Sequence, residues 1–170
     1  MSGTERYINF VNSESFERIM KYNEEQLEKD HAFIQWIFPT VRASAFNNNA
    51  PLLNLNDFLT RREFQDCKSK MLNRSLPLML NHLGISKDMT SVENERKFRY
   101  LDGHNGLRFS RILQSLQYHD LGETASKLYL FVISNVTERG VSVAIDKISR
   151  EPIWLIRLKE AEDEMENLYN

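Results

Sequence analysis

Apolar residues recur along this chain at three- and four-residue intervals, and strict alternation of apolar and polar positions is almost absent. A helix that buries one face imposes that period, so the pattern predicts helices and no strand. Residues 4–11 read as a short helix. Ser13 or Ser15 can cap the next one, with Glu14 and Glu17 in or near its first turn and Phe16, Ile19, Met20 and Leu27 at helical spacing. A compact apolar stretch from His31 to Pro39 follows Asp30 as its cap and stops at Pro39, whose ring forbids simple continuation. Residues 40–56, with Asn47-Asn48-Asn49-Ala50-Pro51, read as an irregular loop.

Helical spacing resumes at Phe58 and runs through Phe64, Cys67, Met71, Leu72, Met79, Leu80 and Leu83 to a stop at Gly84. Pro77 lies inside that run and is expected to kink or split it, having no N–H for the carbonyl of Asn73. Ser91 is placed to cap a helix over 92–99. After the turn Asp102–Gly106, a helix over Leu107–Tyr118 takes Asn105 as its cap. Residues 123–138 read as helix up to Gly140, Ser142 can start a short helix, and Pro152 suits the first turn of the last one. The sum is an all-α fold: a single compact domain of about seven to nine helices over 1–158, with 159–170 as the acidic end of the C-terminal helix.

A length of 170 residues suffices to bury a core, and 41% hydrophobic with 27% charged residues is ordinary for a globular protein. The net charge of -2 gives no general attraction to nucleic acid or anionic membrane, so any such attraction must come from a local patch. Cys67 is the single cysteine, which forbids an internal disulfide and favours a reducing compartment. The N-terminus has no basic stretch followed by an apolar core, and no apolar run approaches the roughly 20 residues needed to span a bilayer. An intracellular location, cytoplasmic or nuclear, is expected. The sequons at Asn73 and Asn135 lie in segments that read as helix and are taken as chance matches.

Enzyme signatures are missing. His31, His82, His104 and His119 form no metal-binding spacing, the glycine-rich phosphate and nucleotide loops are absent, and Cys67 sits on an apolar face where a thiol is inert. The expectation is a chain with no catalytic residues, no metal site and no cofactor.

Three places carry candidate chemistry. In the first apolar stretch Trp36 either joins the core or lines a groove, and His31 and Gln35, one turn apart, either face a common ligand or serve as a cap and a satisfied amide. Around the second, His104 and Asn105 stand at a helix start, with Arg108 and Arg111 three residues apart on one face and Arg96, Lys97 and Arg99 upstream. Helix-start N–H groups beside cations suit a peptide carboxylate, a phosphate or an acidic side chain, while internal ion pairs are the alternative. On this reading Leu107, Ile112, Leu113 and Leu116 face inward. In the last helix Trp154, Leu158, Ala161, Met165 and Leu168 form a heptad-like stripe, either docked on the same domain or available as a homodimer contact.

Two of these stretches go beyond helix patterning: Glu28-Lys29-Asp30-His31-Ala32-Phe33-Ile34-Gln35-Trp36-Ile37-Phe38-Pro39 and His104-Asn105-Gly106-Leu107-Arg108-Phe109-Ser110-Arg111-Ile112-Leu113-Gln114-Ser115-Leu116. Together they resemble the two signature segments of the conserved N-terminal domain of the opioid growth factor receptor family. Pro51-Leu52, Leu78-Met79-Leu80 with Leu83-Gly84-Ile85, and Arg96 to Leu101 resemble the passages between them, so the likeness covers about residues 20 to 158. Gly106 stands where the family pattern usually has asparagine. The family's upstream segment, rich in asparagine, tyrosine and proline, is not evident before residue 13, and the repeat-rich C-terminal extension of the vertebrate members is absent.

The resemblance implies an intracellular, unconventional receptor domain associated with an enkephalin peptide and growth restraint, and no catalytic activity. The leading expectation is therefore a non-catalytic binding module for a peptide or anionic ligand, with a peptide or protein partner. His31, Gln35, Trp36, His104, Asn105, Arg108 and Arg111 are its candidate ligand-binding residues. One alternative is nucleic-acid or phospholigand binding through 95–111, where Phe98, Tyr100 and Phe109 interleave with basic residues; the overall negative charge disfavours nucleic acid. The other is a protein-interaction or effector domain unrelated to opioid signalling.

Overall fold

The computed structural model describes residues 1–44 and 47–169. Ala45 and Phe46 of the expected 40–56 loop, and Asn170 of the acidic end, lie outside the described residues. Among the described residues there are eleven α-helical segments and only isolated β-bridges, so the fold is all-α. Contacts between the helices cluster into two compact units, Met1–Leu78 and Met79–Asn170.

The first unit opens with α1 (Gly3–Val11), α2 (Glu14–Met20), α3 (Glu24–Lys29) and α4 (Phe33–Ile37). Each of the first three is started by a side chain that accepts a backbone N–H: Ser2 from Glu5, Ser13 from Phe16 and Asn23 from Gln26. Asn23 explains why the count exceeds seven to nine, because it restarts the helix that the spacing of Phe16 to Leu27 suggested was continuous. A single turn, α5 (Leu55–Phe58), capped by Asn54, adds another. Tyr7, Phe16, Phe33, Ile37, Phe38 and Phe58 form the centre of this unit, each at most 2% exposed.

The start of α1 lies against the chain at Leu52, so closely that a methyl group on Gly3 would overlap the Leu52 carbonyl. Beside it the Thr4 hydroxyl accepts from the Asn54 N–H at 2.9 Å. Charged groups brace the outside. Arg61 joins Glu5 and Asp57, Arg74 makes two bonds to Glu17 and covers the Phe16 ring, and Lys70 reaches the Val11 carbonyl.

A long helical run starts with α6 (Phe64–Lys70), passes through a π turn at Met71–Ser75 and continues as α7 (Leu76–His82). Pro77 was expected to kink or split this run. Instead the turn before it widens, and the Leu76 N–H donates to the Met71 carbonyl five residues back. Widening removes the demand for a proline N–H at Asn73 without breaking the helix.

In the second unit Gly84, at φ 75°, ends α7 as its position suggested. The next helix, α8 (Glu95–Arg99), is capped by Asn94 rather than Ser91, and a 3-10 turn at Tyr100–Asp102 follows it. Then come α9 (His104–Tyr118), α10 (Gly122–Arg139), which ends at left-handed Gly140, and α11 (Ile153–Asn167). No helix starts at Ser142. Residues 141–152 are irregular, held by an Ile145–Pro152 bridge and by Asp146, whose carboxylate accepts the Ile148 and Ser149 N–H groups.

The helix at the centre of this unit is α9, packed by α10 and α11. The stripe Trp154, Leu158, Ala161 and Met165 is buried, consistent with docking on the same unit, whereas Leu168 is only partly covered. Docking continues into the acidic half, where the Tyr118 hydroxyl donates to Glu164 at 3.1 Å. A homodimer contact through α11 would therefore have to use its charged outer face. No helix among the described residues is long and apolar enough to cross a membrane.

Candidate ligand-binding cleft

An open cleft lies in the first unit. It has a volume of about 540 Å³ and is walled by α1, α2 and the approach to α4. Arg6 and Phe10, one turn apart on α1, face it together with Arg18 and Ile19 of α2. Tyr22, Asp30, Phe33 and Trp36 complete the wall. Aromatic contacts fix its shape: Phe10 lies 5.2 Å from Trp36 at 54°, Tyr22 lies 5.8 Å from Phe33 at 76°, and Phe10 meets the buried Phe16 edge-on at 5.7 Å. Such contacts hold rings at defined angles, so the wall is pre-shaped. The Arg6 guanidinium lies 5.2 Å from the centre of the Trp36 ring and donates to the Asn49 carbonyl.

The polar groups around this apolar wall are unequal. Asp30 Oδ1 accepts the Ala32 and Phe33 N–H groups at 2.8 and 3.3 Å, starting α4, and Oδ2 accepts the Tyr22 hydroxyl at 2.8 Å. Burial, and then the Asp30 carboxylate, push the Tyr22 phenol up, so it stays protonated and keeps donating. Glu25, beside a shallower depression that shares Tyr22 and Asp30 with the cleft, is paired with Lys29 at 2.6 Å. Acidic groups here are thus engaged by the protein, while Arg6 and Arg18 supply positive charge.

Of the seven residues singled out from sequence, Trp36 lines this cleft. His31 is exposed between Asp30 and Ala32. Gln35 is buried, and the end of its amide that faces the Ala32 and His31 carbonyls at 2.9 and 3.0 Å meets only acceptors, so its nitrogen belongs there and the group matches a satisfied amide rather than a ligand group. Arg6, Phe10, Arg18 and Tyr22 were not singled out. A faint signal existed in the four-residue spacing of Arg6 and Phe10, but spacing cannot tell which neighbouring element a helix face meets.

The other four residues lie in the second unit and do not form an open cationic helix start. The helix begins at His104, with Gly103 rather than Asn105 at the cap position. His104 is exposed. Asn105 is 1% exposed, and its Oδ1 accepts no hydrogen bond among the described residues. Arg108 is 6% exposed and Leu107 63%, the reverse of the inward-facing leucine expected. With the helix starting at His104, Asn105, Arg108, Phe109, Ile112 and Leu116 fall on one stripe, and Arg108 is inside it. Arg111 is half-buried with one guanidinium nitrogen enclosed, and burial pushes it down to about 10, so it still carries its charge at neutral pH.

Interleaving of aromatic and basic residues over 95–111 does not produce a stacking surface either. Phe98 and Phe109 are fully buried, and only Tyr100 is half exposed. Phe109 instead packs edge-on against Trp154 at 4.7 Å, and Arg139 covers Phe98 while holding Glu95 through two nitrogens.

No group of three or more His, Cys, Asp or Glu side chains able to hold a metal occurs among the described residues. Cys67 is buried, and burial pushes its thiol up to about 12, far from a reactive thiolate. His82 and His119 are buried as well, and burial pushes His119 down to about 4.

Comparison with known proteins agrees with the two signatures. No solved structure matches. The chain is 29% identical to the opioid growth factor receptor of Homo sapiens over 126 residues, which are 69% of this chain and 18% of that protein. It is 31% identical to the receptor of Mus musculus over 105 residues, 56% of this chain and 16% of that protein, and 30% identical to that of Rattus norvegicus over 105 residues, 56% and 18%. The matched region is thus less than a fifth of each of these relatives. The model of the opioid growth factor receptor conserved region matches residues 7–161, which takes in both signatures, the second half of α1 and most of α11. With nearly its whole length covered by that match, the chain belongs to the opioid growth factor receptor family.

Proposed function

We propose that this domain is a non-catalytic binding module and that a peptide occupies the cleft between α1, α2 and the start of α4. The observation that carries the reading is the aromatic wall of Phe10, Phe33 and Trp36 in an opening of about 540 Å³, enough for one or two apolar side chains. Burying such side chains against preset rings supplies affinity, and polar groups at the edge supply orientation. The related proteins are named as receptors of an opioid growth factor, and an enkephalin peptide is the first ligand to try.

The experiment is calorimetric titration of the full chain with methionine enkephalin, repeated with Trp36→Ala and with Arg108→Lys. Binding by the parent, weakened roughly tenfold or more by the Trp36 change and little affected by the Arg108 change, is the expected result. Binding that is indifferent to Trp36 would remove the cleft from the proposal, and no binding by the parent would remove this ligand.

A further inference from the structure

We infer that the cleft selects a peptide by its free C-terminal carboxylate, held at the Arg6 and Arg18 side of the wall with the terminal apolar side chain packed on Phe10 and Trp36. This rests on the peptide-binding reading and adds which end of the peptide enters.

A short peptide brings one ammonium and one carboxylate, and the cleft does not treat them alike. An ammonium needs an acidic partner. Asp30 has one oxygen on the Ala32 and Phe33 N–H groups and the other on the Tyr22 hydroxyl, so receiving an ammonium would compete with the bonds that order the approach to α4 or with the one that holds Tyr22. Glu25, the acid on the adjoining depression, is already paired with Lys29. A carboxylate meets the opposite situation. Arg6 lies over Trp36 and is tied to the Asn49 carbonyl, which orders its guanidinium at the aromatic wall, and Arg18, which also reaches the Tyr22 hydroxyl, stands exposed on the facing helix. Guanidinium groups offer several N–H donors, so an Arg6 that keeps its backbone bond can still donate to a carboxylate. Because Arg6 is adjacent to Phe10 and Trp36, the carboxylate and the last side chain can be satisfied together. An internal stretch of a longer chain, or an amidated end, lacks the charge.

The test uses N-acetylated tetrapeptides ending in Phe, Leu or Met, each prepared as the free acid and as the C-terminal amide, titrated into the full chain. Acids binding tenfold or more tighter than their amides is the expected result. Arg18→Gln, at an exposed position where folding is not at stake, should shrink that ratio to less than threefold by weakening the acids more than the amides. Acids and amides binding alike would overturn the inference and leave the cleft as a peptide site. Binding by neither would overturn both. A non-acetylated amide binding tighter than the acetylated acid would show that the ammonium is the anchor and also overturn the inference.

Discussion

The Trp154 indole Nε1 donates to the Gly106 carbonyl oxygen at 2.8 Å, so the last helix is pinned to the first turn of α9 by a side chain that also fills the core. The bond depends on close approach, since a Cβ on Gly106 would lie 2.8 Å from the Leu101 carbonyl and 3.7 Å from the indole ring. Trp154→Phe keeps most of the apolar contact with Phe109 but loses the donor. The expected cost is about 1–2 kcal/mol in urea unfolding, against roughly 3–5 kcal/mol for Trp154→Ala. Equal losses for the two variants would mean that packing alone holds α11.

Gly3→Ala tests the contact that seats α1. Its methyl group would overlap the Leu52 backbone, which cannot swing aside as a side chain could. A destabilisation of roughly 1–3 kcal/mol is expected, despite alanine being the better helix former. A higher melting temperature for the variant would show that the chain at Leu52 yields.

Neighbouring positions on α9 should respond in opposite ways. Leu107→Gln changes a residue that is mostly exposed and should alter stability by less than about 0.5 kcal/mol, whereas Arg108→Ala empties a buried position and should cost roughly 1–3 kcal/mol. Thermal melts followed by circular dichroism decide the matter; a larger loss at Leu107 than at Arg108 would reverse the orientation of the helix start.

His119 gives the second unit a pH dependence. It is fully buried, its Nδ1 lies 2.7 Å from the Ser115 carbonyl and so carries a proton donated there, and burial holds the second protonation down to about 4. The unfolded chain takes up that proton near the ordinary value of about 6.5, so the folded state binds fewer protons between the two values. Stability from this residue is therefore complete above pH 6.5 and declines as pH falls toward about 4, by roughly 3 kcal/mol in all. Urea midpoints of the parent should drop between pH 6.5 and 4.5, and those of His119→Gln should drop much less. Parallel curves would assign the loss to other groups.

How far the sequence could be read depends on what each residue's position encodes. Caps and stops were legible at Ser13, Gly84 and Gly140, because their chemistry acts within one turn; Asp30, expected as a cap, stands two residues before the cap position at Ala32, where its carboxylate still accepts the Ala32 and Phe33 N–H groups. The restart at Asn23 was obscured by Phe16, Ile19 and Leu27, whose spacing suits one helix as well as two. At the start of α9 the reading reversed inside and outside. Leucine was placed in the core and arginine outside, yet the register set by His104 puts Arg108 on the stripe with Phe109 and Ile112. Trp36 was marked as a residue that either joins the core or lines a groove, and it lines one. Its neighbours there come from α1 and α2, and pairing between helix faces is a long-range property that periodicity does not carry.

The cleft draws its walls from residues up to Trp36 and its supports from Asn49, Leu52, Arg61, Lys70 and Arg74, all within the first half of the chain. During translation, which runs from the N-terminus, every wall and brace of this cleft is made before the first residue of α9. The residues of the cleft and their supports can therefore pack together without waiting for α9, α10 or α11.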